Sequence, residues 1–142
     1  MYLGTYEHAL DTKGRVILPA KFRDQLSAGA FITKGRGGCL WVYTPEEFDE
    51  VAMQVREQSK RGPRELNSAR VFFGGAVDVV PDKQGRVALP GNLRTFAHLE
   101  REVMVVGLYS RIEIWDRDRW LELDRMGAEA LTESDDLPDF GI

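Results

Sequence analysis

Cysteine is nearly absent from this chain: 142 residues include only Cys39, so no internal disulfide can form. A lone cysteine fits a reducing compartment, and a small buried role suits it better than that of a nucleophile. Histidine is almost as scarce. His8 and His98 are the two, and neither stands beside Cys39 in a catalytic or zinc-binding spacing. No apolar run approaches the roughly 18–20 residues that a bilayer-spanning helix needs. The opening MYLGTYEHAL has neither the basic start nor the apolar stretch of a secretion signal, so a cytoplasmic protein is expected. The glycine-rich KGRGG, Lys34 to Gly38, lacks the G-x-x-x-x-G-K-[ST] pattern of a phosphate loop and reads as a hairpin tip. The acidic ESDD reads as a solvated tail before it reads as a cation site. These absences argue against a disulfide scaffold, a membrane protein and a zinc module. No enzyme activity, cofactor, metal or small-molecule substrate is expected.

What is present is a repeat. DTKGRVILP, Asp11 to Pro19, returns as DKQGRVALP, Asp82 to Pro90. Alignment of Asp11–Leu26 on Asp82–Ala97 keeps Asp, Gly, Arg, Val, Leu, Pro and a later arginine (Arg23 and Arg94) identical. With one residue inserted the match continues, placing Phe31 over Val103, Gly35 over Gly107, Leu40 over Ile112, Val42 over Ile114 and Phe48 over Trp120. Internal repeats of this kind set the fold. A unit of about 45 residues rarely folds alone without disulfide or metal, so the two copies are expected to complete one core around a pseudo-two-fold.

Each copy carries the same coarse pattern. A strand (Tyr6–Leu10, Ala76–Val80) enters a glycine turn, and a second strand (Arg15–Leu18, Arg86–Leu89) leaves it. Proline then opens a short helix, with Phe22 and Leu26 on one face of the first. Two further strands follow, Phe31–Lys34 with Leu40–Tyr43, and Val103–Val106 with Arg111–Trp115. Thr44, Pro45 and Glu47 spell a capping box before a helix whose apolar stripe is Phe48, Val51, Ala52 and Val55. Between the copies RELNSARVFF predicts a helix with Leu66, Ala69 and Phe73 inward. Trp41, Trp115 and Trp120 fall in strand and helix patterns and read as packing residues. The division read from these patterns is 5–47 and 76–119 for the two repeats, 48–75 for a helical connector, and 120–142 for a C-terminal helix and acidic tail. The segment GAEALTESDDLPDFGI is expected to be partly disordered or to dock weakly on a neighbour.

The repeated phrase has a chemical logic. Asp11 and Asp82 can accept backbone N–H bonds inside the turn. Gly14 and Gly85 supply the positive φ of a tight reversal. Along the outgoing strand Val16 and Leu18 share one face, while Arg15 and Ile17, like Arg86 and Ala88, share the other. The arginine is thus turned outward beside a rigid loop to which Lys13 and Lys83 add charge. Two roles stay open for it: a local contact with its aspartate, or a contact with a nucleic-acid duplex, whose phosphates attract cations and whose major groove admits a two-stranded ribbon. The net charge of −4 argues mildly against the second, but its distribution favours it. Residues 1–44 hold six Lys/Arg against three Asp/Glu, residues 45–111 are balanced, and residues 112–142 hold three against ten.

MYLGTYEHALDTKGRVILPAKFRDQL, the second DKQGRVALPGNLR and the intervening ARVFFGGA resemble the MraZ proteins of bacteria over nearly the whole chain, the acidic tail least. The resemblance implies a mixed α+β, mainly β fold: two tandem AbrB-like (SpoVT/AbrB) swapped-hairpin, double-psi-like β-barrel repeats forming an intrachain pseudo-dimer with flanking helices. It implies a sequence-specific, nucleoid-associated DNA-binding transcriptional regulator. That regulator would act as a ring of several subunits on promoter direct repeats, repressing the division and cell-wall gene cluster that includes its own gene. Carried over, the turn motif falls on Asp11 with Arg15 and on Asp82 with Arg86. Arg15 and Arg86 are then assigned to DNA, with Lys13 and Lys83 as phosphate partners and Lys21 and Arg23 as secondary candidates. Asp11, Gly14, Asp82 and Gly85 shape the turns. The first copy, with Lys21 where the second has Asn92, is expected to contribute more. A structural or protein-interaction oligomer of antitoxin-like type is the alternative, kept open by the acidic tail.

Overall fold

The computed structural model describes residues 1–133. In chain order they form β1 (Tyr2–Ala9), β2 (Arg15–Ile17), α1 (Ala20–Leu26), β3 (Ala30–Gly35), β4 (Cys39–Tyr43), α2 (Pro45–Ser59), α3 (Pro63–Gly74), β5 (Val77–Val79), β6 (Arg86–Ala88), α4 (Gly91–Phe96), β7 (Glu102–Tyr109), β8 (Ile112–Asp116) and α5 (Arg117–Thr132). The first strand is longer than Tyr6–Leu10 and starts at Tyr2, because its whole length pairs with β7 from the other copy, from Tyr2↔Tyr109 to Ala9↔Glu102.

Each half gives its first two strands to the other. β1 pairs with β7, β5 pairs with β3, and β2 pairs with β6, all antiparallel. Hydrogen bonding yields a six-stranded sheet of order β1-β7-β8-β4-β3-β5 and a separate two-stranded ribbon β2-β6. The order is palindromic: exchanging the two copies leaves it unchanged. The pseudo-two-fold runs through Val16↔Val87 in the ribbon and Trp41↔Glu113 in the sheet. The pseudo-two-fold is the one the repeat predicted, and the exchange is the swapped-hairpin fold the resemblance implied, as an open sheet with a ribbon rather than a hydrogen-bonded closed barrel.

The ladders correct the repeat alignment. Asp78 sits opposite Phe31, and its counterpart Glu7 sits opposite Met104. Phe31 therefore matches Met104, not Val103, and Ile32 matches Val105; Gly35 and Gly107 are not equivalent. Two residues enter before β7, where His98 takes φ 55°, and one is lost from the β7–β8 turn, where Tyr109 takes φ 60°. A one-residue slip would turn every β7 side chain to the wrong face. Faces, more than letter identity, therefore fix the register.

The main core lies between the ribbon with α1 and α4 on one side and the sheet on the other. Val16, Leu18, Phe22 and Leu26 meet Val87, Leu89 and Leu93, over Ile32, Leu40, Val42, Val105, Ile112 and Ile114, all buried. Tyr2 and Tyr6 stand edge-on to the Phe22 ring at 5.2 and 5.5 Å. The three longer helices cover the sheet's second face. Phe48 of α2 stacks on Phe31 at 4.6 Å, and Phe72 of α3 stacks on Phe48 at 5.8 Å. The capping box at Thr44 and Glu47 forms as the sequence predicts, and the α2 stripe is half-buried.

Two expectations fail here. In α3 the inward residues are Ala69 and Phe72, while Leu66 and Phe73 lie 39 and 41 % exposed. The helix is rotated because the Phe72 ring stacks on Phe48, and its carbonyl accepts a bond from the buried Thr33 hydroxyl. The tail segment does not begin at Gly127: helix α5 continues through it to Thr132, capped by the Asp116 side chain on the Arg119 N–H. Residues 134–142, which hold most of the expected acidic tail, lie outside the described residues.

Candidate nucleic-acid interface

The two repeated turns are built alike, atom for atom. Asp11 Oδ1 accepts the Lys13 and Arg15 N–H bonds, both at 2.9 Å, and Asp82 Oδ1 accepts those of Gln84 and Arg86, both at 2.9 Å. The backbone closes each loop through Asp11 N to Arg15 O at 2.9 Å and Asp82 N to Arg86 O at 2.9 Å. Gly14 and Gly85 take φ 74° and 80°, in the left-handed region that disfavours any residue with a Cβ. The arginine then folds back: Arg15 Nε donates to Asp11 Oδ2 at 2.7 Å, and Arg86 Nε to Asp82 Oδ2 at 2.8 Å. The backbone N–H of each arginine, helped by its guanidinium, outweighs the opposing desolvation and holds Asp11 and Asp82 below the usual carboxylate range.

Both roles left open for the arginine are thus compatible. Its Nε belongs to the turn, and among the described residues its terminal nitrogens carry no hydrogen bond. The ribbon shows where they sit. Arg15 pairs with Ala88, and Ile17 with Arg86, so these four share the face opposite the buried Val16 and Val87. The two arginines stand diagonally on one short, twisted ribbon, with side chains 27 and 31 % exposed. Lys13 and Lys83 are exposed in the flanking turns, but they are not equivalent. Lys13 matches Gln84, and Lys83 matches Thr12. Lys21 is exposed on α1.

Arg23 has a different setting. Its Nε donates to the Leu18 carbonyl at 2.9 Å, and its guanidinium lies across Gly85 of the other copy's turn, where an added Cβ would come within 2.4 Å of Nε. Arg94, which the sequence reading aligned with Arg23 but left out of the site, does the same in return. It bonds Leu89 O at 2.9 Å and covers Gly14, whose Cβ would lie 2.8 Å from Cζ. Its identity with Arg23 in the repeat was the available signal. These crossed contacts lock each helix to the opposite turn. Burial first, and the Arg23 charge second, lower the pKa of His8 nearby.

The second sheet face holds a different polar group. Glu113 is buried and accepts from both indoles, Trp41 Nε1 at 2.7 Å and Trp115 Nε1 at 3.0 Å, while Arg111 lies 4.2 Å over the Trp41 ring. Burial, then the Glu113 charge, pushes the adjacent Cys39 thiol up to about 12, so it stays protonated at neutral pH. The three tryptophans are packing residues, as expected; none faces the ribbon.

Among the described residues no group of acidic, histidine and cysteine side chains could hold a metal, and no helix is long and apolar enough to cross a membrane.

Comparison with known proteins covers nearly the whole chain. The family model described as "MraZ protein, putative antitoxin-like" matches residues 1–68 and 72–136. The chain is 52 % identical over 120 residues to the transcriptional regulator MraZ of Salinispora tropica, covering 84 % of each chain. It is 44 % identical over 142 residues to the transcriptional regulator MraZ of Paenarthrobacter aurescens, covering 99 % of each. To that of Kocuria rhizophila it is 45 % identical over 140 residues, covering 97 % of this chain and 98 % of that one.

Proposed function

The chain belongs to the MraZ family, and from that premise we propose that it is a sequence-specific DNA-binding transcriptional regulator whose reading surface is the ribbon and its two turns. The observation that carries this is the ribbon's outer face: Arg15 and Arg86 stand on a rigid two-stranded element with their terminal nitrogens unused among the described residues. A ribbon of this kind enters a major groove, and a guanidinium placed there bonds guanine edges. Lys13, Lys83 and Lys21 neutralise phosphates beside it. Arg23 and Arg94 reach phosphate only through their terminal nitrogens, since Nε is engaged. The units 5–47 and 76–119 present one turn each, 48–75 connects them, and 120–142 forms the C-terminal unit, whose described part, α5, lies on the sheet face away from the ribbon.

One chain offers few phosphate contacts. We assign the working form to a ring of several subunits on promoter direct repeats, where linked weak contacts raise avidity by roughly 10²–10⁴. The target is the division and cell-wall gene cluster, its own gene included, and the effect is repression. The relatives' name, transcriptional regulator, supports the general role.

The test is titration of the purified protein with DNA from upstream of its own gene across a salt series, with footprinting. Arg15→Ala should remove specific binding while circular dichroism and oligomer size stay unchanged. Asp11→Asn, which loses the same ion pair but keeps the guanidinium, should keep binding. The wild-type affinity should fall steeply with salt. A variant Arg15→Ala that binds as well as wild type overturns the assignment. No specific complex at any salt would favour the structural, antitoxin-like oligomer.

A further inference from the structure

The pseudo-two-fold maps α2 onto α5, Phe48 onto Trp120 and Val51 onto Leu123. The two helices are not covered alike. α3 lies beside α2 and stacks Phe72 on Phe48. It comes from the connector, which the chain has once, so no described residue takes its place beside α5. Of the apolar side chains of α5 only Trp120 and Leu123 pack on the body, Arg117 pairs with Glu7 of β1 at 2.8 Å, and every described residue from Asp124 onward is exposed. The apolar stripe nevertheless continues through Met126, Gly127, Ala130 and Leu131, with Met126 and Leu131 49 and 57 % exposed. A bare helical end of about two turns gains little stability in water on its own, and Gly127 has open space beside it for a close approach.

α3 carries the complementary surface. Leu66 and Phe73, seven residues apart, line its outer face with Arg70 between them. The charges match as well. α5 from Glu122 onward with the following Glu133 holds four carboxylates against Arg125, whereas Arg61, Arg64 and Arg70 gather on α3 and just before it with Glu65 opposed, Lys60 being already paired with Glu57.

We propose that the overhanging stripe of α5 in one copy of this chain seats on the outer face of α3 in the next, supplying the helix the second half lacks. The contact joins two different surfaces. It is therefore heterologous, leaves one free surface of each kind at every step, and closes into a ring where the rotation permits. The inference rests on the ring reading and specifies its interface.

The experiment uses the full chain, with mass from light scattering after gel filtration. One variant carries Leu66→Asp and Phe73→Asp, the other Met126→Asp and Leu131→Asp. Each alone should be monomeric with unchanged circular dichroism. An equal mixture should give dimers of one variant with the other and nothing larger, because each keeps one intact surface. A wild-type monomer overturns the ring reading and this interface together. A wild-type multimer that neither variant disturbs overturns this interface alone, as does a multimer lost only in the α5 variant, which would mean α5 pairs with itself. Should an aspartate disturb folding, Phe73→Cys with Leu131→Cys in one chain should give, on mild oxidation, a covalent ladder beyond dimer, while either cysteine alone, with no thiol opposite it, should give no ladder. No ladder from a folded multimer overturns the interface.

Discussion

Gly14 and Gly85 each serve two constraints at once. The left-handed φ alone disfavours a side chain, and the opposite copy's arginine occupies the space a Cβ would need. Gly14→Ala should therefore destabilise the fold by about 1–3 kcal/mol, read as a lower urea midpoint with an unchanged slope. Adding Arg94→Ala removes the steric part and leaves the backbone strain, so the double variant should lose less than the sum of the two single losses. Full additivity would mean the arginine does not pack on the glycine. The pattern D-x-x-G-R showed that a tight turn needs this glycine. It did not show the second constraint, because the arginine arrives from 80 residues further along the chain. Nor did it show that Arg15 divides its guanidinium between Asp11 and the free face, since spacing places a side chain on a face without saying which of its nitrogens is occupied.

At the scale of elements, local chemistry was legible wherever it was self-contained. Thr44 accepts the Glu47 N–H at 3.2 Å, and the Glu47 carboxylate answers the Thr44 N–H at 3.2 Å. Tyr2 also donates to that carboxylate at 3.3 Å, so the cap ties α2 to the start of β1. Thr44→Ala should cost about 1 kcal/mol and Thr44→Ser close to nothing, measured by chemical denaturation; equal losses would mean the hydroxyl is not the capping group. Elements whose orientation depends on a distant partner were less legible. The α3 periodicity admits either Leu66 with Phe73 or Ala69 with Phe72 as the inward pair. The choice is made by Phe48 and Thr33, which reach that face only after the sheet has formed. The β7 register was misread for the same reason: an insertion before the strand and a deletion after it nearly cancel in the letters, whereas the pleat does not tolerate the slip.

At the scale of the molecule, the exchange of strands makes the two halves one cooperative unit. Among the described residues β1 finds its partner only in β7, β2 only in β6, and β5 only in β3. The main core draws Phe22 and Leu26 from one half and Leu93 and Ile114 from the other. A half expressed alone leaves its first two strands without the ladders they form here and exposes half of that core. A fragment of residues 1–75 should therefore lack a cooperative thermal transition, and so should a fragment of residues 76–142. Mixed in equal amounts, the two should recover one transition and the sheet signal in circular dichroism, since every swapped pairing can form between separate chains. The intact chain should unfold in a single step, with fluorescence of Trp41 in the first half and of Trp115 and Trp120 in the second changing together. A stable fold for either fragment alone would have one simple physical meaning: its hairpin had closed on a second copy of itself, as repeat identity at Asp11–Pro19 and Asp82–Pro90 allows. Gel filtration separates the cases. A fragment that folds as a dimer keeps the swapped architecture, whereas one that folds as a monomer shows that exchange between halves is not what holds the core together.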